Sequence, residues 1–192
     1  MRIIAGRFKG LGLAAVGKGD MGAHLRPTTD RVRESLFAIL EGGRFGEPID
    51  GVRVLDLFAG TGALGLEALS RGAAHVTFVE NGRVSLKLLT ENIDRTKARG
   101  ETRLIRTDAT RLTDADADPA SLVFLDPPYG TDLGARALAN ARKRGWIAED
   151  ALIVWEDSSE QNAPTGFKRI ETRRFGATWL TFLGINDTAS ET

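Results

Sequence analysis

The sequence has no cysteine, two histidines and a single tyrosine in 192 residues. Without cysteine there is no disulfide scaffold and no thiolate metal or redox site. His24 and His75 are far apart and lack carboxylate partners at ligand spacing, so no metal is expected. No apolar run approaches the roughly 18 residues that cross a bilayer. The apolar patch Leu11–Val16 follows Arg7 and Lys9 as in a signal peptide, but it is too short for an h-region and lacks a small-x-small cleavage site. A cytoplasmic protein without membrane contact is expected. Nor is there an excess of charge: 26 basic residues face 26 acids, in a chain 42% apolar and 27% charged. These are values of an ordinary globular protein of one domain.

Zero net charge argues against a nucleic-acid partner only if the charge is evenly spread. It is not. Residues 1–33 hold seven basic residues and two acids, a net +5, which leaves −5 for the rest. Of the basic residues 20 are Arg and 6 are Lys, a bias suited to phosphate and base edges.

Along the chain, Arg2–Arg7 and Leu11–Ala15 flank Phe8-Lys9-Gly10 and read as a small hairpin. A glycine-rich stretch, Gly17–Gly22, reads as a loop. Capping residues in Pro27-Thr28-Thr29-Asp30 precede Val32, Leu36, Phe37 and Leu40, whose spacing predicts a helix to about Glu41. Strands are then predicted at Arg53–Phe58, His75–Val79, Thr102–Thr107, Ser121–Leu125 and Ala151–Glu156. Helices are predicted near Ala63–Ser70, Arg83–Arg99 and Leu133–Arg144. The alternation points to an α/β fold with a parallel sheet covered on both faces. Lys168–Arg174 and Thr178–Leu183 abut across Phe175-Gly176-Ala177, a terminal antiparallel hairpin. The expected division is an RNA-binding extension over residues 1–25, a main domain over 26–184 and a frayed tail over 185–192.

Val54 to Gly65 reads as a strand, a glycine-rich turn and a helix start. Gly60 and Gly62 let a ligand lie against the backbone, and Gly65 allows close helix–strand packing. The match to G-x-G-x-x-G is weak by itself. Glu80, twenty residues past Gly60, adds an acceptor for ribose hydroxyls, so an adenosine-type ligand is expected. Asp56 helps to separate a nicotinamide dinucleotide from S-adenosylmethionine. A dehydrogenase usually has an apolar residue there, whereas a carboxylate suits a cationic amino-acid head group. Asp108-Ala109, after the third strand, can place a carboxylate on an adenine amino group, although taken alone Asp108 reads first as a helix cap or turn residue.

The decisive feature is Leu122-Val123-Phe124-Leu125 running into Asp126-Pro127-Pro128-Tyr129. A buried strand ends here at the carboxyl edge, where open α/β sheets place their sites. The prolines fix the turn and remove local N–H competition for its carbonyls. Asp126 and the Pro127 carbonyl can then accept from one exocyclic amine and stabilise its developing positive charge. Tyr129 offers a face for an extruded base.

These residues resemble the class I S-adenosylmethionine-dependent amino-methyltransferases, which share a Rossmann-like fold. Arg2-Ile3-Ile4-Ala5-Gly6 and Leu25 to Glu34 narrow the resemblance to the bacterial family that methylates guanine N2 in 16S ribosomal RNA. Tyr129 stands where some members have Phe. The resemblance spans Arg2 to Leu183 and implies a seven-stranded, mostly parallel sheet ending in an antiparallel hairpin. It implies S-adenosylmethionine held by Asp56, Phe58, Gly60, Gly62, Glu80, Asn81, Asp108 and Ala109, with the base held by Asp126–Tyr129. The substrate would be a small subunit or late assembly intermediate, met by a monomer through Arg7, Lys9, Arg26, Thr28 and Arg31. Arg26-Pro27-Thr28 is placed to close over the methionine end of the cofactor. Arg31 and Arg33 fall on different helix faces, so one can reach phosphate while the other pairs with Glu34 or faces solvent. The alternatives are adenine N6 methylation, a nicotinamide-dependent dehydrogenase and a catalytically silent RNA-binding module. Trp146, Trp155 and Trp179 suit packing better than base stacking.

Overall fold

The computed structural model describes residues 1–15 and 29–186. The glycine-rich stretch, Arg26, Thr28 and residues 187–192 therefore lie outside the described residues.

Helix α1 (Asp30–Leu40) starts where Thr29 accepts the Val32 N–H at 3.3 Å, and it buries Val32, Leu36, Phe37 and Leu40 at helical spacing. Then come β1 (Arg53–Leu57), α2 (Ala63–Ser70), β2 (His75–Glu80), α3 (Arg83–Thr96), β3 (Thr102–Arg106), β4 (Ala120–Leu125) and α4 (Leu133–Lys143). The chain closes with β5 (Ile147–Asp157), β6 (Phe167–Phe175) and β7 (Thr178–Ile185). The expected fold is present. One seven-stranded sheet has the order β3-β2-β1-β4-β5-β7-β6, with β1 to β5 parallel and β7 antiparallel to both neighbours.

The period of two along each strand splits the apolar side chains between two cores. Val54, Val76, Phe78, Leu122, Phe124 and Val154 face one way, against α1, α2 and the N-terminal segment. Leu55, Leu57, Val79, Val123, Leu125 and Trp155 face the other, against α4.

Three expectations change. The N-terminal hairpin shrinks to a single antiparallel bridge, Arg2 with Gly12. Its next N–H groups are drawn elsewhere: Ile4 and Ala5 donate to Glu67 at 2.8 and 3.0 Å, and Arg7 donates to the Ser70 carbonyl at 2.8 Å. The turn between them needs Gly6 at φ +78°, where an added Cβ would meet the Ser70 carbonyl oxygen at 1.8 Å. Ile3 and Leu13 are buried in the first core, so the segment packs as part of the main body. Second, α3 stops at Thr96 rather than Arg99, because Lys97 turns left-handed with φ +54°. Third, Arg33 neither pairs with Glu34 nor meets solvent. It is fully buried, 3.0 Å from Asp30 and 3.6 Å from Glu67.

Candidate active site

The alternation that divides the cores also gathers the acids. Asp56 follows Val54 by two, Glu80 follows Phe78, Asp126 follows Phe124 and Glu156 follows Val154, all continuing the first-core face. The parallel register sets Asp56 beside Phe78 on one side and Phe124 on the other, with Phe124 beside Val154. Four carboxyl groups from four strands thus converge at the carboxyl edge, where the sheet reverses its strand order. That is the ligand-binding edge of open α/β sheets.

The loop after β1 carries left-handed backbone at alternate positions, Phe58 (φ +60°), Gly60 (+56°) and Gly62 (+79°). Phe58 is the unusual member, since a bulky residue in this region carries about 1–3 kcal/mol of strain that its surroundings must hold. The loop is held by Ala59 N–H to the Val79 carbonyl at 3.1 Å and Gly60 N–H to Glu80 Oε2 at 2.8 Å. Glu80 Oε1 accepts from Asn81 and Gly82 at 2.9 and 2.6 Å. Oε1 is thereby saturated, while Oε2 retains room for one ligand hydroxyl. A side-chain-free backbone at Gly60 beside a fixed carboxylate fits a nucleoside, whereas at Gly62 an added Cβ would meet Leu89 at 2.4 Å, so that glycine serves packing against α3.

Asp56 lies beneath this loop. It is 2% exposed, and its Oδ2 accepts the Gly65 N–H at 2.9 Å. Gly65 has no room for a side chain: an added Cβ would lie 2.4 Å from Phe78 and 2.9 Å from that same oxygen. Burial raises the Asp56 pKa to about 7; the Gly65 hydrogen bond opposes the shift and Glu80 adds to it. The folded state therefore favours the neutral acid, and the stability this gives is lost as pH rises through about 7. Asp56→Asn copies the neutral form. Its advantage over the parent in thermal unfolding should grow between about pH 4 and 7 and level off at no more than about 4 kcal/mol. A pH-independent difference would show that Asp56 does not carry this strain.

At the end of β4, the Asp126 N–H continues the ladder to the Leu57 carbonyl at 3.4 Å. Burial, followed by the negative charge of Glu156, Asp56 and Asp157, raises the Asp126 pKa well above the usual carboxylate range. The Thr131 hydroxyl donates to the Pro128 carbonyl at 2.7 Å; among the described residues no donor takes the Pro127 carbonyl. Tyr129 is half-buried, with Thr178 at the start of β7 close to its phenol. Burial and then Glu156 and Asp126 raise its pKa to about 12. As the only tyrosine in the chain, it can be titrated alone by tyrosinate absorbance. The folded protein should show no tyrosinate through pH 10, the ordinary midpoint, and Asp126→Ala should lower the onset. A midpoint near 10 in the parent would place Tyr129 in solvent.

Asp108 caps the short turn Ala109–Arg111, accepting the Thr110 N–H and hydroxyl at 2.8 Å each, both on Oδ1. These bonds lower its pKa. Ala109 is buried and Asn81 is exposed at the same edge.

The proposed substrate residues are dispersed. Arg7 is paired with Glu101 and sits over Phe8, whereas Lys9 and Arg31 are exposed. Two participants were not found from sequence. Glu156 acts on both Asp126 and Tyr129, and its signal is an acid closing β5 as Asp126 closes β4. Asn92, fully buried on α3, bonds the Ala14 backbone through both ends of its amide and donates to the Thr61 carbonyl at 2.9 Å. It ties the N-terminal segment to the glycine loop; nothing local in the sequence marks it.

Comparison with known proteins agrees with this geometry. The family model described as "Conserved hypothetical protein 95" matches residues 1–184. The ribosomal RNA small subunit methyltransferase D of Escherichia coli is 39% identical over 86% of this chain and 78% of its own length. YlbH of Bacillus subtilis is 37% identical over 85% of this chain and 86% of its own. The solved structure of yhhF from Escherichia coli matches with a TM-score of 0.79 and 34% identity, covering 97% of this chain and 98% of the other. The chain belongs to the Conserved hypothetical protein 95 family and is a class I methyltransferase of Rossmann-like fold.

Proposed function

We propose that the protein transfers a methyl group from S-adenosylmethionine to the exocyclic N2 of a guanine in 16S ribosomal RNA of the small subunit. The observation that carries the reading is Asp126-Pro127-Pro128-Tyr129 at the carboxyl edge, one strand from the glycine loop and two from Glu80. The names of the relatives support ribosomal RNA as the substrate, and the +5 of residues 1–33 fits a phosphate-bearing partner. Family membership sets aside the dehydrogenase alternative.

The cofactor, when bound, supplies an electrophilic methyl on a cationic sulfonium. Glu80 Oε2 accepts a ribose hydroxyl, Gly60 admits the ligand to the backbone while Gly62 sets the turn, and Phe58, Asn81, Asp108 and Ala109 border the adenine. Asp56, half-titrated near pH 7, becomes a full anion beside a cationic head group. Asp126 and the Pro127 carbonyl accept the two amine hydrogens, which localises the nitrogen lone pair and aims it. Asp126 Oδ, as the carboxylate, then takes the proton that the methylated amine must lose. Tyr129 stacks on the extruded base. Arg26, Thr28, Arg31, Arg7 and Lys9 serve the RNA.

The test is transfer of labelled methyl to small subunits from a strain lacking this enzyme, followed by mapping of the labelled nucleotide. Label on a guanine N2 of 16S RNA is expected. Label on an adenine or in DNA would overturn the substrate.

A further inference from the structure

The charge that the sequence places on the N-terminal arm is partly consumed by the fold. Arg33 is buried between Asp30 and Glu67, and Arg7 is paired with Glu101. A substrate bearing many phosphates needs cations elsewhere, and the sheet provides one at the catalytic edge. β5 runs toward that edge, β7 leaves it and β6 returns to it, so the turn after Phe175 sits beside the end of β5. The register aligns Arg174 with Trp179, and Trp179 with Asp157 next to Glu156. Thr178 in the same turn lies close enough to Tyr129 to act on its phenol.

Arg174 is exposed, yet it is held. Its Nε donates to the Gly176 carbonyl at 3.0 Å, and its guanidinium carbon lies 5.4 Å from the centre of the Trp179 ring. Both partners are neutral, so the charge is fixed in place without being cancelled. The contrast is Arg173, one residue earlier, which shares Glu171 with Arg44 at 3.1 and 2.6 Å. A cation oriented by a carbonyl and a ring, with its remaining N–H groups outward, is built for a phosphate.

We infer that the β6–β7 turn is a second RNA contact, in which Arg174, oriented by Trp179 and Gly176, binds a backbone phosphate flanking the target base. This rests on the RNA-methyltransferase reading of the same site. It places one phosphate contact on the side of Tyr129 away from the N-terminal segment, so the extruded nucleotide would be held from both flanks.

The test compares Arg174→Gln and Arg174→Lys with the parent, using labelled S-adenosylmethionine and small subunits from the strain lacking the enzyme, at several salt concentrations. Arg174→Gln should raise KM for the subunit about fivefold and reduce the salt dependence of kcat/KM by about one unit of log–log slope, as loss of a single phosphate contact predicts. Saturated turnover, S-adenosylhomocysteine affinity and Tm should stay at the parent values, and Arg174→Lys should recover part of the KM. Methyl transfer by the parent with unchanged KM and slope in Arg174→Gln would overturn the contact alone. Absence of transfer to RNA by the parent would overturn the underlying reading and the contact with it. A fall in Tm or cofactor affinity accompanying the KM change would make Arg174 a structural residue and also overturn it.

Discussion

Asp126→Ala should lose methyl transfer by about 10²–10³-fold or more, the scale on which a single charge-stabilising group at a reaction centre acts. Two effects combine. The amine loses one of the two acceptors that orient its lone pair, and the site loses the group that takes its proton. The variant should nevertheless fold. Burial, then the charges of Glu156, Asp56 and Asp157, raises the Asp126 pKa, so its removal relieves a desolvation cost and repulsion among clustered acids. The measurement is twofold: single-turnover methylation of small subunits, and S-adenosylhomocysteine affinity by calorimetry. Affinity within a few-fold of the parent with turnover lost is the expected pair. Full retained turnover would remove Asp126 from the mechanism.

Glu67→Ala should cause the largest loss of stability, about 3–5 kcal/mol by denaturant unfolding. Glu67 is 0% exposed and satisfies four groups: the Ile4 and Ala5 N–H groups, Arg71 at 2.8 Å and Arg33 at 3.6 Å. Arg33, also 0% exposed, has no hydrogen-bond acceptor for Nε or Nη1. Without Glu67 its charge would remain buried with Asp30, at 3.0 Å, as its one remaining carboxylate among the described residues, and the N-terminal segment would lose its anchor on α2. Arg7→Ala is the natural contrast. The Arg7–Glu101 pair is nearly half-exposed on both sides, so its loss should cost less than about 1 kcal/mol. A loss below about 1 kcal/mol for Glu67→Ala would mean that the buried pair is balanced by its own desolvation.

Much of this architecture was legible because it depends on short-range pattern. The strands β1 to β4 and the helix starts at Ala63, Arg83 and Leu133 fall where apolar spacing and turn residues put them. So does the terminal hairpin, since no helix fits between Arg174 and Thr178. The Asp126-Pro127-Pro128-Tyr129 motif and the glycine loop were visible for the same reason. Each is a contiguous stretch whose chemistry needs its residues in order.

What sequence did not show depends on partners far along the chain. Arg33 is separated from Glu67 by more than thirty positions, and a surface guanidinium has the same local spacing as a buried one. The N-terminal hairpin is shorter than expected because Glu67 and Ser70 on α2 take the N–H groups of Ile4, Ala5 and Arg7, leaving the bridge between Arg2 and Gly12. Asn92 and Glu156 gain their roles only once α3 meets the glycine loop and β5 lies beside β4.

The sequence by itself determined a Rossmann-like sheet, its glycine loop and the Asp126–Tyr129 turn, because each follows from local periodicity and covalent order. The tertiary structure decided which charges are available. It buried Arg33, paired Arg7 and raised Asp56 and Asp126, and it left Arg174 charged in the β6–β7 turn. Charge state and accessibility are set by the groups that surround a side chain in space, and those groups come from every part of the chain.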